Sequence, residues 1–260
     1  MIILSPSKRM FLDKAMRGEK VDTPRFGKQT RELLFYLRVM DPDEIKVVLK
    51  VSEALAQEIC RRYQDEIVFP GSQKSLTAAI RQFAGDAYVS LGASSLGPNE
   101  LGFLRRRLRI LSGLYGYLAP FDGIGPYRLN MGTELPNSAG LDLYDLWLPL
   151  LAPALADEME KANDRLLLNL ASVEYAKAMD FNLLRQRGIE TVDVAFVEIV
   201  DGKARVNGFD AKRRRGAMTR HLAMRGDDSV ESAKTFRSDG YAFDPERSTP
   251  GKLVFSRVRR

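Results

Sequence analysis

Leu111-Ser-Gly-Leu-Tyr-Gly-Tyr-Leu-Ala-Pro-Phe-Asp-Gly-Ile-Gly-Pro-Tyr-Arg-Leu-Asn-Met-Gly132 is the most unusual stretch of this chain. Gly113, Gly116, Gly123, Gly125 and Gly132 and two prolines, Pro120 and Pro126, sit among aromatic and leucine side chains. Glycine admits positive φ and close approach of other groups, whereas proline fixes φ and ends regular elements. The stretch is too apolar for a solvated linker and too interrupted for a long helix. It reads either as a buried segment with several turns or as the wall of a site.

Working outward, the elements on both sides mix helix and strand periodicities. Upstream, three helices joined by short turns are expected over about 26–65, the second capped by Asp41 with Pro42 at its first position. Ile2–Leu4 is a short buried strand ended by Ser5-Pro6, Ile67–Pro70 an extended piece, Ser75–Phe83 a helix, and Pro98–Leu108 another helix. Downstream, Leu143–Met159 is helical, with Pro149 and Pro153 as breaks or turn starts. Arg165–Ala171 is a fully buried strand, Ile189–Val200 an alternating strand, and Ala204–Val206 its hairpin partner. Phe209–Arg225 is a basic helix with one apolar side, followed by two late strands. Without regular βαβ alternation this is an α+β protein, or an irregular α/β sheet, rather than a doubly wound fold.

Composition limits the chemistry. The chain has 260 residues, which accommodates one large domain or two small ones. Cys60 is the only cysteine and His221 the only histidine. An intrachain disulfide, a cysteine-based metal site, a site needing two imidazoles and di-iron Glu-x-x-His pairs are excluded, and Ser-His-Asp or Cys-His catalysis is disfavoured. A carboxylate-only metal site including Asp86 and Glu174 is weakly signalled, so no metal and no cofactor are expected. Cys60 reads as a small core residue, and His221 as solvent-facing or packed rather than catalytic. No apolar run reaches membrane-spanning length and the N-terminus lacks a signal-peptide pattern, so a cytoplasmic protein without membrane association is expected. The net charge of +6 is compatible with a polyanionic partner.

Two groups of residues carry the functional expectations. The first is the basic helix, Lys212, Arg213, Arg214, Arg215 and Arg220, which could neutralise phosphates. Charge reversal of Lys212 through Arg215 is expected to abolish duplex binding and leave the fold intact. Its simpler reading is a solvated helix face. The second is a set of polar groups at strand ends: Lys8, Asp86, Asn169, Ser172, Glu174 and Tyr175, with Tyr127 and Arg128 from the glycine-rich stretch. Such groups can converge on a cleft and do acid–base work or hold an anion without histidine. Otherwise they satisfy one another as buried polar groups. A nucleotide or nucleobase is the substrate class that joins both sets.

The order of short motifs is specific. Ser5-Pro-Ser-Lys8, Phe83-Ala-Gly-Asp-Ala-Tyr88, Leu111-Ser-Gly-Leu-Tyr-Gly116, Pro126-Tyr-Arg-Leu-Asn-Met-Gly132, Asn169-Leu-Ala-Ser172 with Glu174-Tyr175, Lys212-Arg-Arg-Arg-Gly-Ala-Met218 and Gly240-Tyr-Ala-Phe243 resemble the YaaA family of bacterial peroxide-stress resistance proteins. The resemblance spans residues 2 to about 257. It departs at Asn130, where the family has Glu, which puts any role for a carboxylate there in doubt. It implies one compact domain over 1–260, a mixed sheet surrounded by helices in an irregular topology, and a helix-hairpin-helix-like element. It also implies a cytosolic protein that binds double-stranded or structured DNA and limits oxidative damage linked to free iron. A monomer is expected. In that frame Gly113 and Gly116 are the candidate hairpin glycines, letting backbone N–H groups approach phosphates.

Overall fold

Helices cap themselves where the sequence supplies partners. The computed structural model describes residues 1–11, 20–64 and 76–259. The extended Ile67–Pro70 piece lies outside them. α1 (Gly27–Val39), α2 (Pro42–Leu49) and α3 (Glu53–Gln64) follow one another through short turns, as the sequence indicated. At the start of α2 the Asp41 carboxylate accepts from Glu44 N and the Glu44 carboxylate accepts from Asp41 N, both at 2.9 Å. Lys50, at φ 53°, ends α2 in the left-handed region and starts the turn into α3.

The remaining helices are α4 (Ala79–Gln82), α5 (Asp86–Leu91), α6 (Pro98–Arg107), α7 (Leu143–Lys161), α8 (Val173–Ala176), α9 (Phe181–Gln186), α10 (Gly208–Arg225) and α11 (Val230–Lys234). Two of them differ from the sequence reading. α7 runs unbroken through Pro149 and Pro153. Pro149 is exposed, so water can reach the backbone where its ring removes an N–H. The expected Ser75–Phe83 helix is reduced to α4. Thr77 and Ala78 instead form β2, paired with Ile124 and Gly123 of β5 (Gly123–Ile124). A Cβ on Gly123 would collide with the Val21 side chain, so glycine there lets Val21 pack against β5.

The other strands build one nine-stranded mixed sheet. They are β1 (Ile2–Leu4), β3 (Leu108–Ser112), β4 (Gly116–Leu118), β6 (Leu166–Leu170), β7 (Glu190–Val200), β8 (Lys203–Arg205), β9 (Arg237–Ser238), β10 (Tyr241–Phe243) and β11 (Lys252–Val258). The order is β4-β3-β1-β6-β7-β11-β10-β9, with β8 paired to β7. The five central strands β3, β1, β6, β7 and β11 run parallel, and the flanking pairs are antiparallel. β1 and most of β6 are buried runs without polar–apolar alternation, as strands covered on both faces must be. One core joins sheet and helices in a single compact α+β domain.

The first part of the glycine-rich stretch, to Leu118, belongs to a tight, buried β-hairpin, β3–β4. The Trp147 indole N–H of α7 donates to the Gly113 carbonyl at 2.9 Å. A Cβ on Gly113 would lie 2.6 Å from the Leu129 carbonyl oxygen, and one on Gly116, at φ 70°, 2.7 Å from the Trp147 ring.

Asp122 follows this hairpin and is buried, its Oδ2 accepting from Ala119 N at 2.8 Å. Burial, with Asp22 and Glu158 adding to it against Arg109, pushes its pKa up to about 7 from 3.8. The folded state therefore holds a proton there that the unfolded chain has lost. This group favours folding at low pH, and its contribution declines as pH rises from about 4 to 7. Asp122→Asn is expected to flatten the stability-versus-pH curve in that window. The difference from the unmodified protein should reach a few kcal/mol, on the order of 1.4 per pKa unit, in denaturant titrations at several pH values.

Candidate functional site

The sheet reverses its winding between β1 and β6. After β1 the chain moves out to β3 on one side, and after β6 it moves to β7 on the other. The carboxyl ends of two such strands leave a crevice between diverging connections, the place where parallel α/β sheets bind ligands. A cavity of about 230 Å³ occupies it.

Four segments line the cavity, and each is held by identifiable contacts. The connection after β1 supplies Ser5, Ser7, Lys8 and Arg9. Ser5 is tied down twice: its carbonyl accepts from Tyr88 OH at 2.9 Å, and its Oγ accepts from Ser172 N at 2.8 Å. The connection after β6 supplies Ser172, Glu174 and Tyr175. The Glu174 Oε1 accepts from Gly132 N at 3.2 Å, which attaches the end of the glycine-rich stretch to the site. The start of α5 supplies Asp86. Gly85 lets this segment lie against the Ser7 side chain, a position that a Cβ would occupy. The fourth wall is α10, with Lys212 and Arg215.

Of the polar set expected from the sequence, the structure brings Lys8, Asp86, Ser172, Glu174 and Tyr175 into this one cavity. Tyr127 and Arg128 lie next door, in a small pocket that also includes Lys8, Tyr175 and Asn130. Arg128 NH1 reaches the Lys8 carbonyl at 3.4 Å. Asn169 does not join them. It is buried, donates to Asp193 Oδ1 at 2.8 Å and accepts from Ala171 N at 3.0 Å, and it lines a separate groove.

The basic helix is not one charged face. Lys212 and Arg213 are exposed, and Arg213 lies over the Phe209 ring. Arg214 is 2 % exposed, paired with Asp239 and set against the Tyr241 ring. Arg220 is spent on the Leu91 and Gly92 carbonyls and Ser95 Oγ. Charge reversal of Lys212 through Arg215 would therefore unfold the α10 contacts as well as remove charge. The expectation that it leaves the fold intact is corrected by the burial of Arg214. Gly113 and Gly116 need the same correction as a helix-hairpin-helix: they belong to a buried β-hairpin that faces Leu129 and Trp147.

Arg214 and Arg215 both bury an Nε that has no hydrogen-bond partner. Arg214 spends its remaining nitrogens on Ser238 and Asp239, whereas Arg215 lines the cavity. Desolvation pulls its pKa down from the usual arginine value, so the charge is held at a cost. Burial also pushes the Tyr175 hydroxyl up, so it stays protonated and available as a donor. The cavity thus presents four cations (Lys8, Arg9, Lys212, Arg215) against two carboxylates (Asp86, Glu174). Such a site can bind an anion and still offer acid–base groups beside it. No cluster of three or more His, Cys, Asp or Glu placed to hold a metal occurs among the described residues. No helix among them is long and apolar enough to cross a membrane.

With this geometry in place, comparison with known proteins gives a consistent answer. A family model described as "Peroxide stress protein YaaA" matches residues 1–247. A UPF0246 protein of Magnetococcus marinus is 39% identical over 257 residues, covering 98% of each chain. UPF0246 proteins of Burkholderia mallei (strain SAVP1) and Burkholderia pseudomallei (strain K96243) are each 36% identical over 260 residues, again covering 98% of each chain. The chain belongs to the family of the peroxide stress protein YaaA.

Proposed function

We propose that the protein serves peroxide-stress resistance by binding DNA through its phosphates at the β1/β6 cleft, and so limits iron-dependent oxidative damage to the bound DNA. The observation that carries this reading is Arg215, whose Nε is buried without a hydrogen-bond partner beside Lys8, Arg9 and Lys212. A phosphate supplies the acceptors that this group lacks and offsets its desolvation. Binding of this kind is sequence-independent and strongly salt-dependent. Anisotropy titration of a labelled duplex is expected to show log K falling linearly with log salt, with a slope of about −3 for three or four neutralised phosphates. A slope near zero would exclude phosphate contacts as the source of affinity.

A second reading rests on Asp86, Glu174 and Tyr175 sharing the cavity with those cations. In it the cleft acts on a nucleotide or nucleobase, with a carboxylate as base and Tyr175 as hydrogen-bond donor. Product formation from nucleotides or from oxidised DNA that disappears in Glu174→Gln would favour it.

A further inference from the structure

A second, larger cavity has no part in the reading above. It is an open groove of about 860 Å³ across β6, β7 and the start of β11. Its floor is the first half of β7, from Thr191 to Phe196, where Thr191, Asp193 and Ala195 are the less buried positions of the alternation. Met179 and Phe181 form part of one wall, and Val206 and Ala211 part of the other. Arg215 lines both this groove and the 230 Å³ cavity, so the two meet at that guanidinium.

The polar groups of the groove are ordered. Asn169, Asp193 and Lys252 form one row, because Asn169 pairs with Asp193 and Asp193 with Lys252 in the strand register. Asn169 donates to Asp193 Oδ1 and fixes that carboxylate, while Asp193 itself remains exposed to the groove. Lys177, Arg185 and Lys252 complete the cationic surroundings. A fixed carboxylate inside a cationic, partly apolar groove repels a phosphate at that point and accepts from N–H or O–H donors.

We infer that the groove is a nucleoside subsite: a nucleotide places its phosphate at Arg215 and its base over the β7 floor, with Asp193 accepting from the base edge. Guanine is the natural base that offers two adjacent N–H donors, N1 and N2, on its Watson–Crick edge, the pair that one carboxylate accepts together. The combined cavities are of the size that holds a nucleotide. The ligand is a free guanine nucleotide or an unpaired guanine of a bound strand. This inference rests on the phosphate-binding reading of the cleft and adds a base preference to it.

Calorimetry of the full chain with 5′-GMP, AMP, IMP and inorganic phosphate tests it. GMP is expected to bind at least about tenfold more tightly than IMP or AMP, because each of those lacks an N–H donor to the Asp193 carboxylate, and hydrogen bonds to a charged group are among the stronger ones. Asp193→Asn should abolish that preference and leave inorganic phosphate binding unchanged. Arg215→Gln should weaken every phosphorylated probe. A second arm compares oligothymidylates with and without one central guanine: guanine-dependent binding there, without GMP binding, assigns the strand as the source. Absence of guanine preference in both arms, or its persistence in Asp193→Asn, overturns the inference. Duplex binding that depends on Lys8, Lys212 and Arg215 can survive that result, so the two readings fail separately.

Discussion

Replacing Lys8, Lys212 and Arg215 together by glutamine is expected to lower duplex affinity by about two orders of magnitude at 0.1 M salt. The three residues come from two different walls of one cavity, so their joint effect reports the cavity and not a single helix. Removing three phosphate contacts should also flatten the salt dependence by about 0.9 for each, close to 2.7 in the slope of log K against log salt. Exposed Arg213, stacked on Phe209, serves as the control. Arg213→Gln removes one formal charge from the outer face of α10, as each cavity substitution taken singly does, and should change affinity by about twofold at most. Equal losses from Arg213→Gln and from any one of the cavity substitutions made singly would mean that net charge, not the cleft, governs binding. Glutamine is used because glutamate at Arg215 would place a charge in a desolvated position and confuse folding with binding.

Gly216→Ala is expected to produce the largest loss of stability from a single methyl group. A Cβ at this position would fall directly on the Ala87 carbonyl oxygen, so α5 and α10 touch backbone to backbone there. Alanine should gain about 1 kcal/mol of helix propensity at this interior position. Separation of the two helices outweighs that gain, because backbone cannot yield as a flexible side chain does. A net loss of roughly 3 kcal/mol corresponds to a drop of roughly 6–12 °C in Tm for a chain of this size. The variant should also weaken phosphate binding, since Asp86 and Ala87 lie on one side of this crossing and Lys212 and Arg215 on the other. A variant with unchanged Tm would show that the helices are free to separate, and that the crossing does not set the width of the cleft.

Much of the site could be read from the sequence because it sits at strand ends. Ile2–Leu4 and Arg165–Ala171 read as buried strands, and the polar residues just beyond them, Lys8 and Ser172–Tyr175, had to lie together if the strands were neighbours. β1 and β6 are paired, and the residues share a cavity. The inward half of the basic helix was not legible. The turn that buries Arg214 is defined by Asp239 and Tyr241, more than twenty residues further on, and nothing local to Lys212–Arg215 separates it from its neighbours. Of the two places left open for His221, solvent-facing or packed, the structure shows the packed one, with Nε2 at 3.0 Å from Thr235 Oγ1 and its ring edge-on to Phe236.

The glycines misled for a physical reason. A glycine that admits a phosphate and one that admits an indole ring are the same letter, and only the partner, Trp147, distinguishes them. Asp193 escaped notice because it occupies a polar position in an alternating strand, which is where a solvated residue also sits. The signal that finds it is the register with Asn169, and register appears only once β6 and β7 are side by side.

The placement of β1 in the middle of the sheet also dictates a schedule for synthesis. Ile2 pairs with Leu168 on one side and Leu108 on the other, so its β6 neighbour is translated 166 residues later (168 minus 2). At roughly 5–20 residues per second, the apolar Ile2-Ile3-Leu4 segment waits on the order of 8–33 s on the ribosome for that partner. During this interval it is a sticky, half-satisfied edge, and such contacts between distant segments form slowly. Trigger-type holding factors at the exit tunnel should therefore raise the yield of this chain more than that of a helical bundle of equal length.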